Sequence, residues 1–277
     1  MSDNAAQTEF WNTVAGLTWA EHQAQLDRQL RPLGAAGMQV LSPQPGEAVL
    51  DIGCGCGDTS FALAGAVGET GSVLGLDISE PMLAVARSRA ADSPAAPVFT
   101  LADAQTADLG EARFDAAFSR FGVMFFNDPT AAFANIRRML KPGGRITFVC
   151  WRPATENPWM SVPFQAALPL LPPQPERDPL APGPFAFANP DRVRGILSDA
   201  GFSAITITPF DTLIGSGGLD ETLALTGRVG PLAAVLRENP DLAGPVQHVV
   251  REALSAYLTA EGVMMPAAVW VVSAANA

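Results

Sequence analysis

Between residues 47 and 151, short apolar segments alternate with helix-like segments, and this alternation constrains the fold more than any other feature. Five segments read as strands, from EAVLDIG to RITFVCW. The stretch DPTAAFANIRRMLKPGG between the last two predicts a helix with Asp128 as N-cap, Pro129 at the first helical position and the glycines as its end. Strands that alternate with helices form a parallel sheet with helices on both faces, so we predict a doubly wound α/β core.

The segments on either side of this core predict helical and irregular additions to a single structural domain. Residues 1–46 carry an amphipathic helical pattern and end in the breaker-rich LSPQPGE. Residues 152–190 are rich in proline and read as an irregular lid. Residues 191–277 add the strand-like segments AITITPFDTLI and AAVWVVSAA, separated by helical patterns at about 216–262. Asn189 is the expected N-cap of the helix that opens this last part.

Composition bears on the partners and the compartment of the chain. Its 277 residues carry a net charge of −11, and no basic run appears, whereas nucleic-acid binding needs clustered lysine and arginine. No apolar stretch approaches the roughly 20 residues of a membrane span, and MSDNAAQTEFWN lacks the layout of a signal peptide. Three cysteines make no disulfide framework. We expect a cytoplasmic protein with no nucleic-acid partner and no membrane span; a homodimer is compatible with the sequence, which does not decide it.

The stretch VLDIGCGCGDTS joins the first predicted strand to the first predicted helix of the core. Glycines at such a junction let backbone N–H groups approach a ligand near the positive end of the helix. Gly53, Gly55 and Gly57 give G-x-G-x-G, whereas the dinucleotide fingerprint needs glycine where Asp58 stands, and no Gly-Lys-Ser/Thr follows for a P-loop. Asp51, at the strand end, would repel a pyrophosphate and suits a cationic group such as an ammonium.

Cys54 and Cys56 lie within this loop and raise a metal or redox alternative. Structural zinc sites use two C-x2–4-C pairs or combine cysteine with histidine, and redox motifs use C-x-x-C. The chain has only two histidines, and Cys150 falls in a predicted strand. We interpret the two cysteines as small side chains between obligatory glycines, with Cys54 lining the ligand site, and predict no metal.

VLDIGCGCGDTS resembles the first motif of class I S-adenosylmethionine (SAM)-dependent methyltransferases, hydrophobic-hydrophobic-Asp/Glu-x-G-x-G-x-G. Later segments follow the order of that family: VLGLDIS, SEPMLAVAR, ADAQT, FDAAFSRFGVMFF and LKPGGRITFV. The last of them is similar to the subgroup that includes ubiquinone and menaquinone methyltransferases. The resemblance covers about residues 45–150. It implies a doubly wound Rossmann-like sheet of seven strands, mostly parallel with an antiparallel last strand, plus helical cap and lid insertions.

The resemblance also implies which residues hold SAM, with S-adenosylhomocysteine (SAH) as the product. Asp77 matches the acid that accepts the ribose hydroxyls, Met82 the residue that packs on adenine, and Asp103 the acid that receives the adenine amino group. The segment FDAAFSRFGVMFF matches the fourth strand of the family, so the residues at its carboxyl end, Ser119, Arg120 and Phe121, would face the methionine part of SAM. The full set of predicted cofactor-binding residues is Asp51, Gly53, Cys54, Gly55, Gly57, Thr59, Asp77, Ile78, Met82, Asp103, Ala104, Ser119, Arg120 and Phe121.

Catalytic residues are harder to select, because displacement of a methyl group from a sulfonium needs mainly alignment in a dry site. A general base matters only for a weakly nucleophilic acceptor. His22, in the N-terminal cap, and Arg120, inside an apolar run, are the candidates, while His248 reads as part of a solvated helix face. The tryptophans and phenylalanines at residues 11, 19, 121, 125, 126, 151 and 159 either line an acceptor pocket or pack in the core.

The expected function is therefore transfer of a methyl group to a small acceptor, hydrophobic or aromatic, by in-line displacement. Two alternatives stay open at this point. A SAM-binding protein of the same fold can perform other chemistry, as a cyclase, demethylase or dehalogenase, and a nicotinamide-dependent oxidoreductase can use a similar sheet, although Asp58 disfavours it. The sequence does not identify the acceptor or the oxygen, nitrogen, carbon or sulfur atom that is methylated.

Overall fold

The computed structural model describes residues 4–91, 96–174 and 178–277. The helices in these ranges are α1 (Ala5–Asn12), α2 (Val14–Glu21), α3 (Gln23–Leu41), α4 (Asp58–Val67), α5 (Glu80–Ala90), α6 (Pro129–Met139), α7 (Pro158–Ala167), α8 (Pro190–Asp199), α9 (Leu219–Thr226), α10 (Pro231–Glu238) and α11 (Ala243–Ser255). The strands are β1 (Ala48–Ile52), β2 (Ser72–Asp77), β3 (Val98–Leu101), β4 (Phe114–Arg120), β5 (Leu140–Trp151), β6 (Ser203–Gly215), β7 (Leu258–Thr259) and β8 (Gly262–Ala275).

The strands form one sheet in the order β3-β2-β1-β4-β5-β8-β6. The five strands from β3 to β5 are parallel, and β8 runs antiparallel to both β5 and β6. The expected Rossmann-like sheet, mostly parallel with an antiparallel last strand, is thus confirmed. An eighth strand, β7, pairs with the start of β8 through Leu258 and Val263 and is too short to give a periodic signal in the sequence.

Both faces of the central strands are buried, as expected of a parallel sheet between helical layers. Because side chains alternate along a strand, Val49 and Phe118 pack with Leu63 and the end of α3 on one face. Leu50 belongs to the larger cluster on the other face, together with residues of α6 and α8. The hydrophobic runs of the predicted strands arise from this two-sided burial.

The predicted N-caps of α6 and α8, Asp128 and Asn189, are confirmed. Asp128 Oδ1 accepts the N–H of Ala131 at 3.0 Å, and Asn189 Oδ1 accepts that of Asp191 at 2.9 Å. The prediction that the glycines of KPGG end α6 is wrong, because α6 ends at Met139 and β5 begins with the next residue. Leu140 pairs with Phe114 of β4, and that pairing draws the chain out of the helix before the glycines.

Residues 152–190 depart from the irregular segment predicted for them, because they contain α7. Pro158 occupies the first helical position of α7, where no N–H is needed, so the proline content conceals a helix start. This helix packs with α9, α10 and α11 around a separate apolar cluster that includes Ala167, Leu232 and Leu254. No helix in the described ranges is both long and apolar enough to cross a bilayer.

Candidate active site

A cavity of about 570 Å³ lies at the carboxyl ends of β1, β2, β3 and β4. Ligands of open α/β sheets bind at this edge, and the volume lies within the range of small-molecule sites. The N-terminal helices, the loop after β4, Trp151, α7 and α10 complete its walls. One continuous space therefore touches both the predicted cofactor residues and the predicted aromatic residues.

The glycine loop reaches the cavity through Gly53, and the rest of the loop lies behind it. Gly53, Gly55 and Gly57 have φ angles of +66°, +55° and +89°, the left-handed region that favours glycine. A Cβ on Gly53 would stand 2.7 Å from the Cα of Gly122, so the close approach of the loop after β4 also requires glycine there. The N–H of Gly53 donates to the carbonyl oxygen of Leu76 at 2.8 Å, which fixes the loop to the end of β2.

Asp77 is a fixed hydrogen-bond acceptor at the end of β2. Its Oδ2 accepts the N–H of Gly55 at 2.7 Å and its Oδ1 that of Ser79 at 2.8 Å, and the residue lines the cavity. Burial raises the pKa of this carboxyl, and the two N–H groups oppose the rise. Each carboxylate oxygen retains capacity to accept a further bond, so Asp77 can receive two donors from a ligand in the cavity.

Asp51 takes a different position from the one expected. It is fully buried beneath the loop, and its Oδ2 accepts from the hydroxyls of Thr59 at 2.7 Å and Ser60 at 2.5 Å. Burial raises its pKa to about 6, and its Oδ1 has no hydrogen-bond partner among the described residues. Neither Asp51 nor Thr59 lines the cavity, and the bonds from Thr59 and Ser60 to Asp51 anchor the start of α4 beneath the loop.

Arg120 lines the cavity, but its guanidinium is paired within the protein. Its Nη1 lies 2.9 Å from Oδ2 of Asp58, and its Nη2 lies 4.0 Å from Oδ1 of Asp27. Asp58 also pairs with Arg31, and Asp27 with Arg89, so acids and bases from α3, α4, α5 and β4 meet behind the loop. Burial raises the pKa of Asp27, with the charge of Asp58 adding to the rise. The buried charge of Arg120 is therefore compensated, which a charge in this environment requires.

The other predicted residues divide between the cavity and its supporting layer. His22 stands at the junction of α2 and α3 and does not line the cavity, so the structure gives this catalytic candidate no contact there. The predicted cofactor residues that line the cavity are Gly53, Asp77, Ile78, Met82, Asp103, Ala104, Arg120 and Phe121. Those of the supporting layer are Asp51, Cys54, Gly55, Gly57, Thr59 and Ser119.

The three cysteines are buried free thiols. Burial raises the pKa of Cys54 well above the usual value and that of Cys56 to about 12, so neither thiol ionises near neutral pH. Cys54 does not line the cavity, contrary to its expected place, and its sulfur packs near Gly75 and Phe99. Within the described ranges, His, Cys, Asp and Glu side chains form no group of three that could hold a metal.

Aromatic rings line much of the cavity. Phe121 stacks on Trp151 with ring centroids 4.1 Å apart and an interplanar angle of 6°, and Trp159 lies 4.9 Å from Trp151. Trp11 meets Phe125 edge-on at 5.1 Å. Phe121 has a φ of +67°, uncommon for a residue with a side chain, and its stacked ring faces the cavity. The sequence left open whether these aromatic residues line a pocket or pack in the core, and in the structure all seven line the cavity.

The N-terminal helices close the cavity over the end of β2. The Nδ2 of Asn12 donates to the carbonyl of Ile78 at 2.6 Å, and its Oδ1 accepts the N–H of Glu80 at 2.9 Å. The hydroxyl of Ser79 donates to the carbonyl of Trp11 at 2.6 Å. These three bonds, which we call the Asn12 latch, hold α1 against the start of α5.

Sequence reasoning missed several residues that line the cavity. Asn4, Gln29, Arg228, Arg237 and Glu238 come from α3, α10 and irregular segments, and none belongs to a recognised motif. The amphipathic pattern of α10 marks its buried face, but no spacing rule connects that helix to a site formed about a hundred residues earlier in the chain. These positions emerge only from tertiary structure.

Comparison with known proteins identifies the family. Residues 49–144 match the family model described as a methyltransferase domain. The chain is 31% identical to the O-methyltransferase cnsE of Penicillium expansum over 228 residues, which are 78% of this chain and 75% of that protein. It is 42% identical over 103 residues to the ubiquinone/menaquinone biosynthesis C-methyltransferase UbiE of Paraburkholderia phymatum, and this match spans 37% of the chain and 42% of that relative. Among solved structures, the YcgJ protein of Bacillus subtilis shares the fold, with a TM-score of 0.58 at 17% identity over 88% of this chain and 98% of that one.

Proposed function

This chain belongs to the class I S-adenosylmethionine-dependent methyltransferases, and we propose that it methylates a small apolar or aromatic acceptor. SAM is the cofactor of the family and supplies a methyl group on a sulfonium, which is a good leaving group. The observation that carries the proposal is one cavity that is lined both by Asp77 and Gly53 and by the stacked rings of Phe121 and Trp151. Cofactor and acceptor would then share one enclosed space.

In the cofactor half, we assign the ribose hydroxyls to Asp77, because its two oxygens are oriented by backbone N–H groups and face the cavity. Met82 and Asp103 line the same half and would contact the adenine ring and its amino group. Gly53 leaves the floor free of side chains for the methionine part. The residues present therefore fit the nucleoside and the amino-acid portions of SAM.

In the acceptor half, the rings of Trp11, Phe121 and Trp159 would orient a flat or apolar molecule and exclude water. No histidine, lysine, cysteine or tyrosine is among the described residues that line the cavity, which leaves Glu238 as the titratable acid outside the cofactor half. Alignment of the two reactants would supply most of the rate, so the arrangement suits an acceptor that is already nucleophilic.

Isothermal titration of the full chain with SAM and with SAH tests the cofactor assignment, and we expect micromolar binding of both. Lack of binding by either ligand would contradict the proposal. A second assay follows SAH release with aromatic phenols, amines and thiols as acceptors. SAH binding without turnover on such a panel would favour a cyclase, demethylase or dehalogenase on the same fold.

A further inference from the structure

We propose that the acceptor carries an anionic group and that Arg228 and Arg237 bind it. The inference rests on the proposed function and narrows it to one substrate class: an apolar or aromatic body with a carboxylate, sulfonate or phosphate. Its starting point is the wall of the cavity formed by α10 and by the segment between α9 and α10. Arg228, Gly230 and Arg237 of this wall line the same space as the aromatic rings.

The side chains of these two arginines differ in their partners from the other arginines of the described ranges. Every other arginine in the described ranges donates to a carboxylate or to a backbone carbonyl, as Arg120 does to Asp58. The side chains of Arg228 and Arg237 have no hydrogen bond or ion pair with any described residue, and both residues are exposed at the mouth of the cavity. Two unpaired guanidinium groups on one cavity wall, in a chain of net charge −11, provide a site for an anion.

The charges around the cavity favour this location over the cofactor half. Asp77 and Asp103 line the half assigned to the nucleoside, and Glu238 is the acid that accompanies the two arginines. With two arginines and one glutamate, this wall carries one net positive charge. A guanidinium binds a carboxylate or phosphate through two parallel N–H bonds, while the neighbouring rings take up an apolar body.

The test compares acids with their uncharged amides, with the full chain saturated with SAH. Benzoate and benzamide, and 2-naphthoate and 2-naphthamide, are titrated by calorimetry. We expect at least one acid to bind roughly tenfold more tightly than its amide, since a charge-assisted bond contributes more than a neutral one. Arg228→Gln and Arg237→Gln should each weaken the acid about three- to tenfold and leave the amide unchanged.

Two further variants separate a local site from the net charge of the protein. Glu238→Gln removes the acid of the same wall and should strengthen binding of the acid. Arg251→Gln removes an arginine of α11 that pairs with Asp220 away from the cavity, and should leave binding unchanged. SAH affinity should be equal in all four variants, which shows that each is folded.

The outcomes distinguish this inference from the proposed function. If SAH itself does not bind, the proposed function fails. If SAH binds and the acids bind no better than the amides, or not at all, the anionic acceptor is overturned. An equal loss of acid binding in Arg251→Gln would also overturn it, because the effect would then come from overall charge.

Discussion

At the scale of single residues, Asp51 shows how a motif acid can serve the protein instead of the ligand. Its carboxylate lies under the glycine loop and receives two hydroxyl bonds, from Thr59 and Ser60, on the same oxygen. The other oxygen has no partner among the described residues. A buried carboxylate that is only partly solvated by the protein destabilises the fold when it is ionised.

Replacement of this acid should therefore change how stability depends on pH. The Asp51 carboxyl titrates near its ordinary value of 3.8 in the unfolded chain and at about 6 in the folded protein. Between these values the folded state holds the proton more tightly, so the free energy of unfolding falls as pH rises, by about 3 kcal/mol in total. In urea denaturation, the free energy of unfolding of Asp51→Asn relative to that of the parent should increase from pH 4 to pH 6. Above pH 6 the difference should stay constant.

An advantage independent of pH would show that Asp51 is not the titrating group. Asp241→Asn is the matched control, because Asp241 is exposed and forms no side-chain hydrogen bond or ion pair with the described residues. It removes the same charge without removing a buried carboxyl.

Asp77 carries the second residue-level prediction. Asp77→Ala removes the acceptor assigned to the ribose and frees the N–H groups of Gly55 and Ser79. SAH affinity in calorimetric titration should fall roughly 10- to 100-fold, the range for loss of bonds to a charged group. Asp241→Ala should bind normally. Unchanged affinity in Asp77→Ala would remove the ribose assignment.

At the residue scale, the sequence predicted those side-chain contacts that join residues close together in the chain. Asp128 and Asn189 cap their helices through bonds to residues two or three positions away, and such contacts follow from the order of the letters. The partners of Arg120 could not be found in that way, since Asp27 and Asp58 are brought to it by α3 and α4. The sequence left open whether Arg120 is paired or faces the site, and in the structure it does both.

At the scale of secondary-structure elements, α3 shows how glycine sets the distance between a helix and the sheet. A Cβ on Gly37 would stand 2.6 Å from Cγ2 of Val149 and 3.0 Å from Cε2 of Phe118. Gly65 of α4 faces open space, with no atom within 4 Å of such a Cβ. Glycine is thus required by close packing at position 37, whereas position 65 has room for a larger side chain.

Alanine at these two positions should change stability in opposite directions. Gly37→Ala forces α3 away from β4 and β5 and should lower the free energy of unfolding by about 1–3 kcal/mol. Gly65→Ala lowers the conformational entropy of the unfolded chain without creating a clash in the folded protein. It should therefore raise the free energy of unfolding by about 0.5–1 kcal/mol. The urea midpoints of the two variants check this; shifts of the same sign would refute the close packing of α3.

The order of the elements was accessible from sequence because strand and helix periods differ and alternate. The exceptions are places where a long-range contact overrides a local signal. α6 stops at Met139 because Leu140 pairs with β4, and α7 forms because its apolar face packs against α11. Neither partner can be recognised from the segment itself.

At the scale of the whole molecule, the first helices and the last ones enclose a site that the central strands create. The Asn12 latch ties α1 to the end of β2, where Ile78 lines the cavity. If SAM occupies the cavity beside Ile78 as proposed, we expect its product SAH to leave more easily when the latch opens.

The rate of product release should therefore depend on Asn12. Asn12→Ala removes both bonds to the start of α5, and SAH should dissociate roughly fivefold faster in stopped-flow displacement. Gln39→Ala, an exposed amide on α3 outside the cavity, should release SAH at the parental rate. Equal rates in the parent and in Asn12→Ala would mean that α1 does not limit exit.

The parallel sheet was thus predictable, since its signals lie within about a hundred consecutive residues. The cavity wall that carries Arg228 and Arg237 was not. Arg228 and Arg237 reach the cavity only because α9, α10 and α11 pack on α7, and such packing leaves no trace in the spacing of the two arginines. This wall of the cavity therefore depends on tertiary contacts and not on a sequence motif.

The position of β8 also bears on how the chain matures in the cell. β8 lies between β5 and β6 and follows both along the chain. While the ribosome is still adding the helices that precede β8, β6 has no neighbour to join and β5 presents an open edge. Such an edge can pair wrongly with another nascent chain. The sheet is complete only when β8 has been synthesised, so until then the edge of β5 stays open to such mispairing.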